Sequence, residues 1–285
     1  MVRYVGLFVV VLLFGCSNYG QLTYITKLPK KLDENSGIIS LESEKIWVIE
    51  DNGNEDKIYE VSFEGKTLRS LKVKNAKNKD WEDLTKDDQG NLYIGDFGNN
   101  SNDRTDLIIY KIPNPVAIAG DSIVAEKIKF NYPEQKAFPP IAAKRQFDAE
   151  ALFYFDNALY LITKDRSDPF LGQALVYKIP AIKGTYEAQL IGTFNTCLEN
   201  PIKCEVTAAA ISPDGKKIVL LGYGVLWVIT DFTIDKFASG TQEFIDLGVS
   251  TQLESVCFID NSTILLSDEE RHKTGRNLYS FTLAN

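Results

Sequence analysis

Histidine is almost missing from this chain: His272 is the only one. Cysteine is scarce as well, with 4 residues and no Cys-x-x-Cys spacing. These absences exclude a zinc centre of thiolates and imidazoles, which needs several such ligands clustered together. A Ser-His-Asp set would have to run through His272, which follows Asp268-Glu269-Glu270-Arg271 in a polar stretch. The plain reading is a solvated loop side chain, the sharper one a general base whose pKa the acids raise. An excess of positive charge is lacking too. The 31 Lys and Arg face 39 Asp and Glu, a net charge of −8. That balance disfavours non-specific binding to nucleic acid or anionic lipid and suits metal ions, cationic ligands or solubility. Helical periodicity is nearly absent, and the glycine-rich Gly95-Asp96-Phe97-Gly98-Asn99-Asn100 lacks the strand-to-helix setting of a phosphate loop.

Long apolar runs are missing apart from residues 5–14, which follow Arg3 and end at Gly15-Cys16. The run is too short for a bilayer-spanning helix and has the layout of a secretory signal. Leu13-Phe14-Gly15-Cys16 resembles the bacterial lipobox, with Phe14 where a small residue is usual. That resemblance implies a signal peptide over 1–15, lipidation of Cys16, a tether over 16–21 and a folded domain over 22–285. Ser17 after the cysteine points, again by resemblance, to an outer-membrane destination. The plainer alternatives are an ordinary cleaved signal or a buried strand. Cys197 and Cys204 flank a short polar loop and, in an exported chain, are expected to form a disulfide. Cys257 sits in an apolar strand and reads as a buried thiol.

What the chain does contain is a repeated hairpin. Residues 80–100, DWEDLTKDDQGNLYIGDFGNN, read as two strands joined at Asp87-Asp88-Gln89-Gly90. Units of this kind open at Ser36, Glu82, Glu150, Thr207 and Glu254. Two further strand-like runs follow each of the first four. The fifth unit has one such run, and residues 22–28 can supply the strand it lacks. Four strands per repeat at this period predict an all-β fold, a β-propeller of five four-stranded blades closed by the N-terminal strand. A sixth blade would have to come from residues 135–147 or 192–205, neither of which has the apolar content for it. A sandwich would not repeat a whole four-strand cassette with an acid at a fixed place.

Aligned, the first strands begin with Ser36, Glu82, Glu150, Thr207 and Glu254. The second strands end at Asp51, Asp96, Asp165, Gly222/Tyr223 and Asp268. In antiparallel pairs both sets lie at one end of the hairpin, which in a propeller is one rim of the central channel. The expected metal-ligand set is Glu82, Glu150, Glu254, Asp96, Asp165 and Asp268, and the expected ligand-contacting set is Asp51, Thr207, Tyr223 and Trp81. Crowded carboxylates repel and need compensation. A hard cation such as Ca²⁺ supplies it, with Asn52, Asn54, Asn99 and Asn100 as further oxygen donors. So would Arg104, Arg145, Arg166 and Arg271, pairing the acids one by one. Trp47, Trp81 and Trp227 read first as packing residues, with Trp81 as the one that could stack on a ligand.

Trp81-Glu82-Asp83-Leu84, the run from Leu92 to Asn100, Asp148-Ala149-Glu150-Ala151-Leu152 and TAAAISPDG at 207–215 resemble motifs of exported bacterial propellers. More distantly they are similar to the calcium-dependent gluconolactonase/paraoxonase-like and phytase-like propellers. That resemblance implies calcium in the central channel, held by acids that begin innermost strands, here Glu82, Glu150 and Glu254. Two readings follow. One is a lipid-anchored propeller of the cell envelope that binds a small ligand, an envelope protein or a divalent cation at an acidic rim. The other is a calcium-dependent hydrolase of lactones, esters or phosphoesters, in which the metal polarises the substrate and a rim carboxylate acts as base.

Overall fold

Each turn signature found in the sequence closes the inner hairpin of a four-stranded antiparallel sheet. The computed structural model describes residues 18–284. Cys16 and the residues expected to form a signal peptide lie outside the described residues. The chain opens with β1 (Thr23–Lys27). It then builds a first blade from β2 (Asn35–Ile39), β3 (Lys45–Glu50), β4 (Lys57–Ser62) and β5 (Thr67–Val73). The second blade comprises β6 (Trp81–Lys86), β7 (Leu92–Asp96) and β8 (Ile108–Ile112), then, after the short β9 (Ser122–Ile123), β10 (Glu126–Asn131). In the third are β11 (Asp148–Phe155), β12 (Ala158–Lys164) and β13 (Gln173–Pro180), followed by β14 (Gly184–Glu187) and the outer strand β15 (Gln189–Asn195). The fourth holds β16 (Ala208–Ile211), β17 (Ile218–Gly222), β18 (Val225–Thr230) and β19 (Thr241–Asp246). The last is β20 (Leu253–Phe258), β21 (Thr263–Asp268) and β22 (Asn277–Thr282), completed by β1. The fold is a five-bladed β-propeller.

The ring closes where the sequence predicts, with β1 pairing antiparallel to β22 and Lys27 opposite Asn277. Second strands are buried throughout, as in β7 and β12, because each is covered by a blade on either side. Large side chains fill the gaps between blades: Trp47 and Trp81 in one cluster, Phe153, Phe194 and Trp227 in another.

The outer edges show what periodicity alone did not reveal. A bare edge strand invites pairing with other chains. In the first four blades the segment joining the third and fourth strands reaches back to the outer strand of the blade before it, and in the fifth the residues leading into β1 do so. β9 adds in parallel to β5, and β14 adds in parallel to β10. A 3-10 helix at Ile234–Ser239 packs against β15. Gln21 donates its backbone N–H to Leu247 O (2.8 Å) and its Nε2 to Asp246 O (2.6 Å), at the end of β19. The Gly65 turn lies directly against Lys27 of β1. β9 and β14 are short and partly polar, and their ladders form with a neighbouring blade.

Candidate functional site

Four of the five inner strands carry a β-bulge at the same place. The ladder skips from Asn35 to Gly37, from Trp81 to Leu84, from Ala149 to Ala151 and from Leu253 to Ser255. A bulge leaves its extra residue unpaired and re-aims the side chain. The skipped residues are Ser36, Glu82 with Asp83, Glu150 and Glu254, so the aligned first-strand positions are bulge positions. The fourth blade, which has no acid there, has an unbroken ladder from Ala208 to Ile211. Thr207 precedes it, buried, and its hydroxyl donates to Leu253 O at 2.8 Å.

The structure brings Glu82, Glu150, Glu254 and Asp51 to one end of the channel. Burial and the charges of Asp80, Glu150 and Glu254 push Asp51 up to about 8. For Glu82 the leading influences act in one direction: burial first, then Glu150, Asp51, Asp80 and Asp148 all hold it well above the carboxylate range. Glu269 joins them, raised to about 9 by burial and by Glu254, Asp51 and Glu150. One carboxylate oxygen each from Asp51, Asp80 and Glu82 lies within 4.8 Å of the others. Asp80 Oδ1 is buried and has no hydrogen-bond partner. The Gly98 backbone packs so close that a methyl there would overlap the carboxylates of Glu82 and Asp80.

The other acids are already partnered. Glu150 Oε1 pairs with Arg166 Nη2 at 2.9 Å and Lys164 Nζ at 3.3 Å. Arg166 also binds Asp148 Oδ2 at 2.6 Å, and Asp148 is still raised to about 6 because burial outweighs the arginine. Lys164 donates to the Tyr223 hydroxyl (3.2 Å), and that hydroxyl donates to Glu254 Oε1 (2.7 Å). Gln252 Nε2 donates to the same oxygen at 3.0 Å. Tyr223 thus occupies the gap that the fourth blade leaves in the acid ring.

Asp96, Asp165 and Asp268 do not reach this cluster. Asp96 Oδ1 accepts from Asp80 N and Arg104 Nη2, both at 3.1 Å. Asp165 accepts from the amides of Ser167 and Leu171, each at 2.9 Å. Asp268 accepts from Asn277 N at 2.6 Å and the Tyr279 hydroxyl at 2.9 Å. Asp165 and Asp268 thus have both carboxylate oxygens engaged by neighbouring backbone and side chains, and Asp96 ties the Arg104 loop and the Asp80 amide together through Oδ1. The register explains why Asp51 differs. Glu50, not Asp51, lies opposite Asn35, the position that Asp96 and Asp268 hold opposite Trp81 and Leu253. Asp51 is one residue further on, and a one-residue step turns a side chain to the other face.

Trp81 is fully buried, donates Nε1 to Lys77 O (3.2 Å) and packs against Tyr110, so it offers no stacking face. Of the four arginines, Arg104 and Arg166 pair with rim acids. Arg145 and Arg271 form no ion pair among the described residues, and the Arg145 Nε is buried without a partner. Asn100 accepts from Arg166, Asn99 accepts from Arg104 N, and Asn54 donates to Glu34. His272 lies in an exposed turn. The sequence reading missed Asp80, Asp83, Asp148, Lys164 and Glu269. A signal for two of them was present in Asp80-Trp81-Glu82-Asp83, where three acids head one apolar strand.

No family model matches the chain, and none of the curated proteins does. Among solved structures, the PQQ-bound form of an aldose sugar dehydrogenase from Streptomyces coelicolor is similar at TM-score 0.55 and 10% identity, over 92% of this chain and 98% of that one. A glucose dehydrogenase structure gives 0.49 at 9% identity, over 91% and 98%. A catalytically inactive virginiamycin B lyase from Staphylococcus aureus with quinupristin gives 0.44 at 15% identity, over 90% and 69%. The likeness is one of fold.

Proposed function

We propose that the chain is an exported, lipid-anchored propeller whose channel end binds a hard divalent cation such as Ca²⁺ through Asp51, Asp80 and Glu82. One observation carries the reading: the buried Oδ1 of Asp80 has no partner, in a cluster where three carboxylates approach one another. None of the three forms an ion pair with a lysine among the described residues, whereas Glu150 has both Lys164 and Arg166. Hard cations take several oxygen ligands, and a bound cation would offset the burial and the mutual repulsion that raise Asp51 and Glu82. The disulfide between Cys197 and Cys204 supports an oxidising, exported setting.

The hydrolytic alternative needs a carboxylate base beside the cation. Glu150 and Glu254 are engaged by Lys164 and Arg166 and by Tyr223 and Gln252, which favours binding over turnover. PQQ does not fit this channel end. It carries three carboxylates, and here they would face acids that already repel one another.

The test is thermal unfolding after chelation and again with added Ca²⁺. A ligand that binds only the folded state raises Tm with concentration. The expected result is a rise that Glu82→Gln and Asp80→Asn each remove. A Tm indifferent to Ca²⁺ in the parent chain would overturn the reading.

A further inference from the structure

The loop closed by Cys197 and Cys204 carries two large aliphatic side chains in solvent: Leu198 is 63% exposed and Ile202 is 66% exposed. A short disulfide loop holds such groups out where an unconstrained one could fold them under. Phe244 on β19, 54% exposed, lines a depression of about 490 Å³ together with Cys197, Lys203 and Cys204 of this loop and with Trp227. On the other side Leu198 packs against Gly172, next to the half-exposed Leu171. Leu198 and Ile202 on the disulfide loop, with Leu171 and Phe244 on the segments that flank it, are therefore exposed apolar groups of one surface region where the third and fourth blades meet.

The described chain begins beside this patch. Gln21 is hydrogen-bonded to Asp246 O and Leu247 O, and Lys203 of the disulfide loop reaches Asp246 Oδ2 at 3.1 Å. Phe244 precedes Asp246 by two residues and shares its face of β19. Cys16 is two residues upstream of Asn18 in the sequence, so the chain spans at most roughly 7 Å between them.

We infer that this patch docks on the lipid surface to which Cys16 is anchored, fixing the orientation of the propeller rather than leaving it on a loose tether. The inference rests on the lipoprotein reading. A lipid surface is the occupant because an acyl chain at Cys16 would bring a bilayer within reach of Asn18, and exposed aliphatic and aromatic groups next to an anchor are what bilayers take up. With a net charge of −8, apolar insertion, not attraction to anionic headgroups, supplies the contact.

The experiment uses the full chain purified from membranes and reconstituted into zwitterionic phosphatidylethanolamine–phosphatidylcholine vesicles, some containing brominated acyl chains. Ile202→Trp reports from the patch, Phe244→Trp from its other edge, and Val124→Trp, 59% exposed where the second blade meets the first, serves as the control. Emission added by Trp at 202 or 244 is expected to be quenched by brominated lipid, and that added at 124 is not. Quenching at 202 and 244 no stronger than at 124, in chains that float with the vesicles, overturns docking and leaves the anchor standing. Shielding of position 202 from acrylamide without quenching by brominated lipid assigns the patch to a protein contact and also overturns it. A full chain that does not float, or a Cys16→Ser chain that floats equally, removes the anchor and the inference with it.

Discussion

Asp83 Oδ2 accepts a hydrogen bond from Leu152 N at 2.8 Å, joining the innermost strands of the second and third blades. The same oxygen lies 3.4 Å from Ala209 N in the fourth, and Oδ1 accepts from Leu84 N at 2.8 Å. Asp83 is fully buried, and burial holds its carboxyl well above the usual range despite these three amides. The bulge that turns Glu82 toward the channel end also gives Asp83 this position between three blades, so one irregularity serves both site and scaffold.

Asp83→Ala removes the acceptor and leaves the Leu152 amide buried without a partner. A stranded buried donor costs about 1–3 kcal/mol, and the lost contacts in two other strands add to it. The expected loss is about 3 kcal/mol, read as a lower midpoint in urea with an unchanged slope. Asp83→Asn retains a carbonyl acceptor and should lose less. Equal stability of Asp83→Ala and the parent would show that the three amides find other partners.

Deletion of residues 18–27 removes β1 and the Gln21 contacts to Asp246 and Leu247. The fifth blade then exposes β22 as a bare edge, and the fourth loses cover at the end of β19. The expected outcome is self-association in gel filtration and a broad, non-coincident unfolding transition. A monomer with one cooperative transition would mean that the ring holds without its closing strand.

The blades were legible because each hairpin advertises itself locally. Gly90 and Gly215 take the positive φ that their turns require, and short continuous apolar runs, Leu92–Ile94 and Ile218–Leu221, follow them. The closing strand was legible because the fifth repeat is one strand short. The site was only half legible. Glu82, Glu150 and Glu254 stand out as repeated acids, but whether an acid faces the channel depends on register. A bulge or a one-residue step decides that, and neither leaves a mark in a single sequence, which is why Asp51 and Asp96 looked alike. Lys164 was hidden for a different reason. A lysine ending a strand looks solvated, and its near-complete burial comes from Glu150, Glu205 and Tyr223, contributed by other strands and by the next blade.

Lys164→Met tests that buried pair. Removing one partner of a buried ion pair leaves an uncompensated charge, at a cost of about 3–5 kcal/mol. Arg166 still faces Glu150, so the lower end is expected. Adding Glu150→Gln should restore much of the loss, because the charge left behind is then gone. A double variant no more stable than Lys164→Met would shift the weight of the interaction to Tyr223 and Glu205.

The pH dependence separates a cation site from a set of merely buried acids. Asp51 is raised to about 8 in the folded chain, against about 4 for an exposed aspartate. Between those values the folded state holds the extra proton, so stability is greatest at the acid end and falls as pH rises through about 8. In chelator, the Tm difference between the parent and Asp51→Asn should therefore change across this window, with the parent losing ground as pH rises. A cation takes the proton's place and binds better as the carboxylates ionise, so the Ca²⁺-induced rise in Tm should grow between about pH 5 and pH 8. Gly98→Ala, which pushes a methyl against Glu82 and Asp80, should abolish that rise while Asp51 still titrates. A Ca²⁺ effect of equal size at both ends of the window would place the ion elsewhere, away from Asp51, Asp80 and Glu82.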